Sequence, residues 1–462
     1  MFAVRLHAVL ARVTTSRPAR RFTVVLANVL LFFRALVPGL WVQKMVLAFV
    51  RMEAACCRSG TPHYKFVQRY LDQFERAGTV DRMRTSLARM PRAHAARRLD
   101  AWSRIGLLGN ARHELLTRGL GSKGVPPRLL MEAQLALSPG CDLTCEGCYT
   151  NEDRGGKAPS RERIAYLVDE VVACGAFAVH IVGKGEPFLS PKWANQLLDV
   201  IEERSHVFFT IATHAMHIDD ALAARIGCLG NLVLLVAVDG DEAVHDARRG
   251  RGSYRKVHEA LARLRKHHAV FGFSCMVSAK SLEALTSEAY VDGRAESGAA
   301  IGIYSRYFPL TSGHVEELAL DTETLATYRR RFEAAREKAS ITLLDLDDVE
   351  QHTGCHSRAG ESIYVDGMSG RVAPCLRVPF APETCVLDGV PGRLAEILAH
   401  DYFVAYRGRT TRCPSWCGAN LEGELAEVGA LLDAHVPRLV GYEARARVAS
   451  TKRRLPLLAD AP

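Results

Sequence analysis

Residues 132–149 read Glu132-Ala133-Gln134-Leu135-Ala136-Leu137-Ser138-Pro139-Gly140-Cys141-Asp142-Leu143-Thr144-Cys145-Glu146-Gly147-Cys148-Tyr149. A short run with strand character closes on Ser-Pro-Gly, a turn signal, and opens into a loop carrying three cysteines. Three residues separate the first pair of cysteines and two separate the second. Thiolates so spaced on one loop can hold three irons of a 4Fe-4S cluster and leave the fourth iron open to a small chelating ligand. Other readings of the cysteines fit less well. A zinc site usually pairs two Cys-x-x-Cys units, or joins one unit to spaced histidines, and this loop holds a single unit. Disulfides need an oxidising compartment, and nothing recognisable as a cleavable signal peptide precedes the loop. Buried structural cysteines occur, but rarely three within eight residues of a loop.

Outward from this loop the sequence alternates strands with amphipathic helices, as in a parallel α/β sheet. The pattern predicts strands over Glu132 to Ser138, Ala176 to Val182, Val207 to Ala212, Leu232 to Val238, Phe271 to Val277 and Ala300 to Ser305. Helices are expected over Arg161 to Ala173, Pro191 to Glu203, Ala221 to Ile226, Tyr254 to His267 and Thr322 to Lys338. Right-handed crossovers curl six such units into a partial (β/α)6, TIM-like barrel, whose active site belongs at the carboxyl ends of the strands. Cys141 follows the first strand directly, so the cysteine loop falls at that end.

A chain of 462 residues is too long for one ordinary core, and 48% hydrophobic with 24% charged residues is a globular composition. Four regions are expected: a helical region over 1–128, the barrel over 129–340, a small cysteine-rich module over 341–420 and a polar helical tail over 421–462. The net charge of +9 comes partly from arginines in the first 130 residues. No interleaving of aromatic and basic residues points to nucleic acid. The apolar stretch Phe22 to Val50 is interrupted by Arg34 and Lys44 and broken at Pro38-Gly39. Each half is shorter than the ~20 apolar residues of a spanning helix. A helical hairpin in the membrane interface and a buried helical pair covering the barrel both fit it.

Further motifs carry a resemblance to a known family. After the second strand comes Val182-Gly183-Lys184-Gly185-Glu186-Pro187, and after the third Thr213-His214-Ala215. The fourth ends in Ala237-Val238-Asp239-Gly240, followed by His245-Asp246-Ala247-Arg248-Arg249-Gly250. Together with the cysteine loop, these resemble the radical S-adenosylmethionine (SAM) superfamily over roughly residues 131 to 420. The resemblance implies cluster ligands Cys141, Cys145 and Cys148, with SAM on the open iron. It implies that Gly185, Glu186 and Pro187 meet the SAM amino group, and that Thr213 and Tyr149 lie in the SAM pocket. Arg249, with Arg248 as the fallback, is matched to the SAM carboxylate, a bidentate task that suits a guanidinium fork. Lys184, His214, Ala215, Ala237 and Gly147 depart from the common pattern. At Gly147 many relatives carry an aromatic residue near the adenine.

In the last part, Gly354-Cys355, Ile363-Tyr364-Val365-Asp366-Gly367 and Pro374-Cys375 resemble the start of a SPASM or Twitch module. That resemblance implies one auxiliary 4Fe-4S cluster held by Cys355, Cys375 and two of Cys385, Cys413 and Cys417. Thiols without metal are the alternative.

The family resemblance implies reductive cleavage of SAM to a 5′-deoxyadenosyl radical that abstracts hydrogen from an unactivated C-H bond. It makes the chain an oxidoreductase or a transferase forming C-C or C-S bonds, reduced by a flavodoxin- or ferredoxin-type donor. The arginine-flanked N-terminal region, and a likeness of Phe271 to Ser274, Ala289 to Asp292 and Tyr304 to Leu310 to lipid-acting members, lead to a lipid or isoprenoid substrate. Modification of a peptide is the alternative, and a non-catalytic iron-sulfur carrier or sensor ranks below both. A cytoplasmic setting is expected, and the interfacial reading of residues 22–50 would add contact with the inner membrane face.

Overall fold

The computed structural model describes residues 73, 130–151, 154–307, 315–346, 355–376, 378 and 381–407. Its strands form one sheet: β1 Glu132–Ala136, β2 Ala178–Ile181, β3 Phe208–Thr213, β4 Leu232–Ala237, β5 Phe271–Val277, β6 Ile301–Arg306, β7 Thr342–Asp345, β8 Ser362–Asp366 and β9 Val372–Ala373. The helices are α1 Arg161–Ala173, α2 Pro191–Glu203, α3 Asp220–Cys228, α4 Glu242–Arg249, α5 Ser253–Lys266, α6 Leu282–Leu285, α7 Glu288–Glu296, α8 Thr322–Lys338, α9 His356–Ala359, α10 Arg393–Ala399 and α11 Asp401–Arg407. The sheet order is β7-β6-β5-β4-β3-β2-β1-β8-β9. Every neighbouring pair is parallel except β8 with β9.

The six expected strand-helix units are present as an open, partial α/β barrel. Residues from 341 onward place strands at both ends of the same sheet. β7 pairs with β6, while β8 pairs with β1 in the register Glu132↔Ser362 to Ala136↔Asp366.

Burial alternates along the strands with the period of a pleated sheet. Ala133, Leu135, Val179, Ile181, Phe209, Ile211, Leu234 and Val236 are fully buried and share one core with helix residues such as Leu167, Leu198, Val257 and Leu264. On the inner face Glu132, Gln134, His180, Val233, Leu235, Ser274 and Met276 are only partly covered by the described residues. Helix starts follow local chemistry. Ser160, Asp219, Asp241 and Asp321 each accept a hydrogen bond from the first-turn amide three residues on, and Pro191 opens α2. With its amide oriented to satisfy both groups, Gln73 donates to the Leu343 carbonyl (3.2 Å) and accepts from the Leu343 amide (3.0 Å), covering part of the β7 edge.

The remainder of the expected helical region over 1–128, the stretch 22–50 and the tail over 421–462 lie outside the described residues. Among the described residues no helix is long and apolar enough to cross a membrane.

Candidate active site

The cysteine loop leaves the carboxyl end of β1 and is held by its own backbone and by two side chains. Cys148 N donates to Cys145 O (3.1 Å), and Asn151 N donates to Cys148 O (3.2 Å). Asn151 Nδ2 reaches Cys145 O (3.0 Å), while the Arg154 guanidinium donates to Cys141 O (3.1 Å) and Leu143 O (2.6 Å). Sequence reasoning missed Asn151 and Arg154, which make no motif. Cys141, Cys145 and Cys148 are free thiols. Gly147 sits at φ +69°, and a Cβ there would lie 2.8 Å from the Tyr307 ring and closer still, 2.5 Å, to Leu318 Cδ1. Side chains from beyond β6 thus fill the space that an aromatic residue at position 147 would need.

The turn after β2 packs against the same loop. Glu186 N donates to Gly140 O (2.9 Å), and a Cβ on Gly185 would stand 1.9 Å from that oxygen, so the approach is open to glycine alone. The buried Glu186 carboxylate accepts from Phe188 N (3.0 Å), Thr213 Oγ1 (2.6 Å) and His214 N (2.9 Å), with Pro187 buried between. Three protein hydrogen bonds thus fix the carboxylate, with His214 Nε2 also facing Oε2 at 3.4 Å. Thr213 is buried and directs its hydroxyl to Glu186. Tyr149 Oη stands 3.5 Å from the position a Cβ on Gly183 would take, beside this turn.

His214 joins the end of β3 to the cysteine loop. Its Nε2 lies 3.0 Å from Asp142 Oδ1 and 3.4 Å from Glu186 Oε2, and His217 Nε2 lies 2.9 Å from Asp142 Oδ2. Burial alone would lower the His214 pKa, but the Glu186 and Asp142 carboxylates override it and hold it up at about 10. The hydrogen bond from His214 in turn drives the Asp142 carboxyl well below its ordinary range. This explains the departure at His214: the side chain clamps the residue next to Cys141.

At the end of β4, Asp239 is fully buried and serves two guanidiniums. Arg248 Nη1 and Arg249 Nε both lie 2.5 Å from Asp239 Oδ2, and Met276 N donates to Oδ1 (2.9 Å). Burial would protonate Asp239, but the two arginines outweigh it and keep the carboxyl far below normal. Arg248 also contacts Met276 Sδ (3.2 Å), and its Nε is buried. Arg249 uses Nε alone, so its terminal fork has no protein partner among the described residues. Of the two arginines the sequence offered, Arg248 uses both terminal nitrogens on protein partners and Arg249 uses Nε alone. Burial raises the Cys145 thiol pKa, while Arg249 and Arg248 pull it down.

The later cysteines are more dispersed. Cys355 precedes α9, Cys375 pairs its strand-like segment with Val378, and Cys385 is buried with its pKa pushed up to about 11 by burial. None forms a disulfide, and Cys413 and Cys417 lie outside the described residues. The set of at least three donors within reach of one ion among the described residues is Cys141, Asp142 and His214.

The inner face holds a hydrogen-bonded chain that the sequence reading passed over. Glu132 Oε2 lies 3.0 Å from His180 Nε2, and His180 Nδ1 lies 2.7 Å from Thr210 Oγ1. Burial raises the Glu132 pKa, yet the hydrogen bond and charge of His180 bring it down to about 2. Its sequence signal was a polar residue at an inner position in each of three mostly apolar strands.

Three free thiols on one loop, with two guanidiniums in electrostatic reach of Cys145, are the soft anionic donors and compensating cations that a 4Fe-4S cluster requires. Residues 135–278 match the family model described as the radical SAM superfamily. Among solved structures, the chain is similar to Streptococcus suis SuiB bound to the precursor peptide SuiA, at 16% identity and a TM-score of 0.52, covering 66% of this chain and 72% of that one. It is also similar to anSMEcpe with bound AdoMet, at 14% identity and a TM-score of 0.49, covering 64% of this chain and 85% of that one. No curated protein sequence matches it.

Proposed function

Proceeding from a radical SAM domain at residues 135–278, with its 4Fe-4S cluster and SAM, we propose that the chain abstracts hydrogen from an unactivated C-H bond of a peptide. When bound, the cluster and SAM supply a 5′-deoxyadenosyl radical; the chain's own residues do the rest. The observation that carries the reading is the convergence, at the carboxyl ends of β1 to β4, of three free thiols, the Glu186 turn and the free fork of Arg249. Cys141, Cys145 and Cys148 hold the cluster. Gly185, Glu186 and Pro187 offer acceptors to the SAM amino group, Thr213 holds the Glu186 carboxylate in place, and Tyr149 walls the pocket. Arg249 receives the SAM carboxylate through its two terminal nitrogens, which Asp239 aims by fixing Nε.

A peptide is favoured as substrate because the neighbouring fold of SuiB was solved with its precursor peptide, whereas the lipid reading rested on short likenesses in and after β5 to β6 and on residues 22–50, which lie outside the described residues. One auxiliary cluster on Cys355, Cys375 and two of Cys385, Cys413 and Cys417 completes the proposal, with an external iron-sulfur or flavin protein as reductant.

Anaerobically purified protein should contain about eight irons per chain and lose about four on Cys141→Ala. Dithionite and SAM should then yield 5′-deoxyadenosine, and failure to do so would end this reading. Co-expression with a short peptide encoded beside the gene should change that peptide's mass, whereas an unchanged peptide and a modified membrane lipid would reverse the choice of substrate.

A further inference from the structure

The residue that departs from the family pattern in the β2 turn is also the one that leaves the turn. Lys184 adopts φ +53°, a left-handed conformation that a side chain with a Cβ rarely takes, between Gly183 at φ +83° and Gly185. Its ammonium lies 2.9 Å from Asp366 Oδ2, and the two side chains are 14% and 8% exposed. In the sheet order β2-β1-β8, this ion pair spans the carboxyl end of β1, where the cysteine loop begins.

Asp366 is a fixed anchor. Its carboxylate also accepts from Ser369 Oγ (2.7 Å) and Met368 N (3.1 Å), and Gly367 N donates to Ala136 O (2.8 Å), continuing the β1–β8 pairing. The same segment touches the turn a second time. Leu376 N donates to Gln134 Oε1 (3.2 Å), and Leu376 Cδ1 lies 3.3 Å from where a Cβ on Gly183 would be. The turn assigned to the SAM amino group is therefore held from one side by Gly140 and from the other by residues 366–376.

We propose that the Lys184–Asp366 pair is a positioning device that couples SAM binding at the β2 turn to docking of the C-terminal segment against β1. The inference rests on the radical SAM reading of the site. A buried pair fixes a strained turn in the conformation that presents its acceptors, so SAM meets a prearranged turn only while β8 is seated. Linkage makes the effect reciprocal: bound SAM stiffens the segment carrying Asp366, Cys375 and Cys385. A lysine that contacted SAM directly would act without Asp366, which separates the two roles.

The test uses anaerobically reconstituted full-length protein and SAM itself. SAM affinity is measured for the wild type, Lys184→Gly, Lys184→Arg, Asp366→Asn and the double variant Lys184→Gly with Asp366→Asn. Hydrogen exchange of peptides covering residues 362–376 is followed with and without saturating SAM. Lys184→Gly and Asp366→Asn should each weaken SAM binding by about tenfold, with the double variant no weaker than the poorer single one and Lys184→Arg within about threefold of wild type. The protection that SAM confers on residues 362–376 should disappear in both single variants. Wild-type affinity in Asp366→Asn alongside weak binding in Lys184→Gly would assign Lys184 to SAM directly and overturn the coupling. Wild-type affinity in both, or additive losses in the double variant, would overturn it as well. Iron content and melting temperature identify a variant that fails to fold, and Lys184→Met then replaces Lys184→Gly under the same criteria. If the wild type itself binds no SAM, the radical SAM reading falls; if it binds and the variants match it, only the coupling does.

Discussion

Arg248 and Arg249 are adjacent on α4 and share one oxygen of Asp239, yet Arg248 binds it through Nη1 and Arg249 through Nε, and the proposed SAM site gives them different tasks. Arg249→Gln should weaken SAM binding ten- to hundredfold, the worth of about 1.5–3 kcal/mol for hydrogen bonds to a charged group, with cluster iron retained. Arg248→Gln should mainly lower the melting temperature, because it leaves Asp239 with one cation fewer while the Arg249 fork stays in place. Equal losses of SAM affinity in the two variants would refute this division. A neighbouring side chain sets a pH dependence. His245 is fully buried, and its Nδ1 accepts from Asp239 N (3.1 Å). Burial, reinforced by the Arg249 charge, lowers its pKa to about 4. Between about pH 6.5 and 4 the unfolded chain binds a proton at His245 that the folded chain does not, so stability falls as pH drops through that window, by about 3 kcal/mol at most. His245→Asn keeps an acceptor for the Asp239 amide and removes the titration. Its acid limb in a pH series of thermal melts should be shallower than that of wild type. The sequence named Arg249 and the cysteines because a motif fixes their spacing. His180, Glu132 and Thr210 escaped notice because their partnership exists only once three strands lie side by side.

Among the elements, α1, α2 and α8 occupy the residues expected from the sequence, and local signals explain it. Ser160 and Asp321 cap their helices, and Pro191 opens the third. The strands β1 to β6 shift by no more than two residues from expectation at either end. β7 and β8 were not legible as strands of this sheet. β7 is four residues long, and β8 pairs Ser362 with Glu132, a contact that leaves no local trace in either segment. A similar long-range dependence holds α10. Glu170, buried on α1, accepts from Gly392 N (2.7 Å) and Leu394 N (2.8 Å), so a carboxylate from a distant helix satisfies first-turn amides. Glu170→Gln removes the charge and one acceptor position, a loss of about 1 kcal/mol. Hydrogen exchange should accelerate over residues 393–407 while SAM affinity stays at the wild-type level. Faster exchange throughout the sheet would mean instead that Glu170 supports the barrel as a whole.

At the scale of the molecule, the C-terminal segment closes the sheet. β8 covers the β1 edge with a full parallel ladder, and β9 and the 386–387 segment continue outward from it. Arg163 and Tyr166 on α1 donate to the carbonyls of Leu387 (2.6 Å) and Val390 (2.9 Å), so the outer helix layer is tied to the same segment. Were residues 341–420 an independent module, a chain ending at residue 346 would fold and keep its first cluster. The observed topology predicts otherwise. Truncation there would strip the β1 edge of its partner and remove Gly367 from its place against the Ala136 carbonyl and the Leu137 and Leu167 side chains. An unpaired strand edge flanked by apolar surface is an aggregation site. The truncated chain should therefore be insoluble or oligomeric when expressed beside the full-length protein, even though the three cysteines and the SAM motifs are intact. A soluble, monomeric fragment that melts cooperatively and still binds about four irons would show that the barrel stands without β8. It would also separate the cysteine loop from the C-terminal segment that Lys184 and Asp366 join to it.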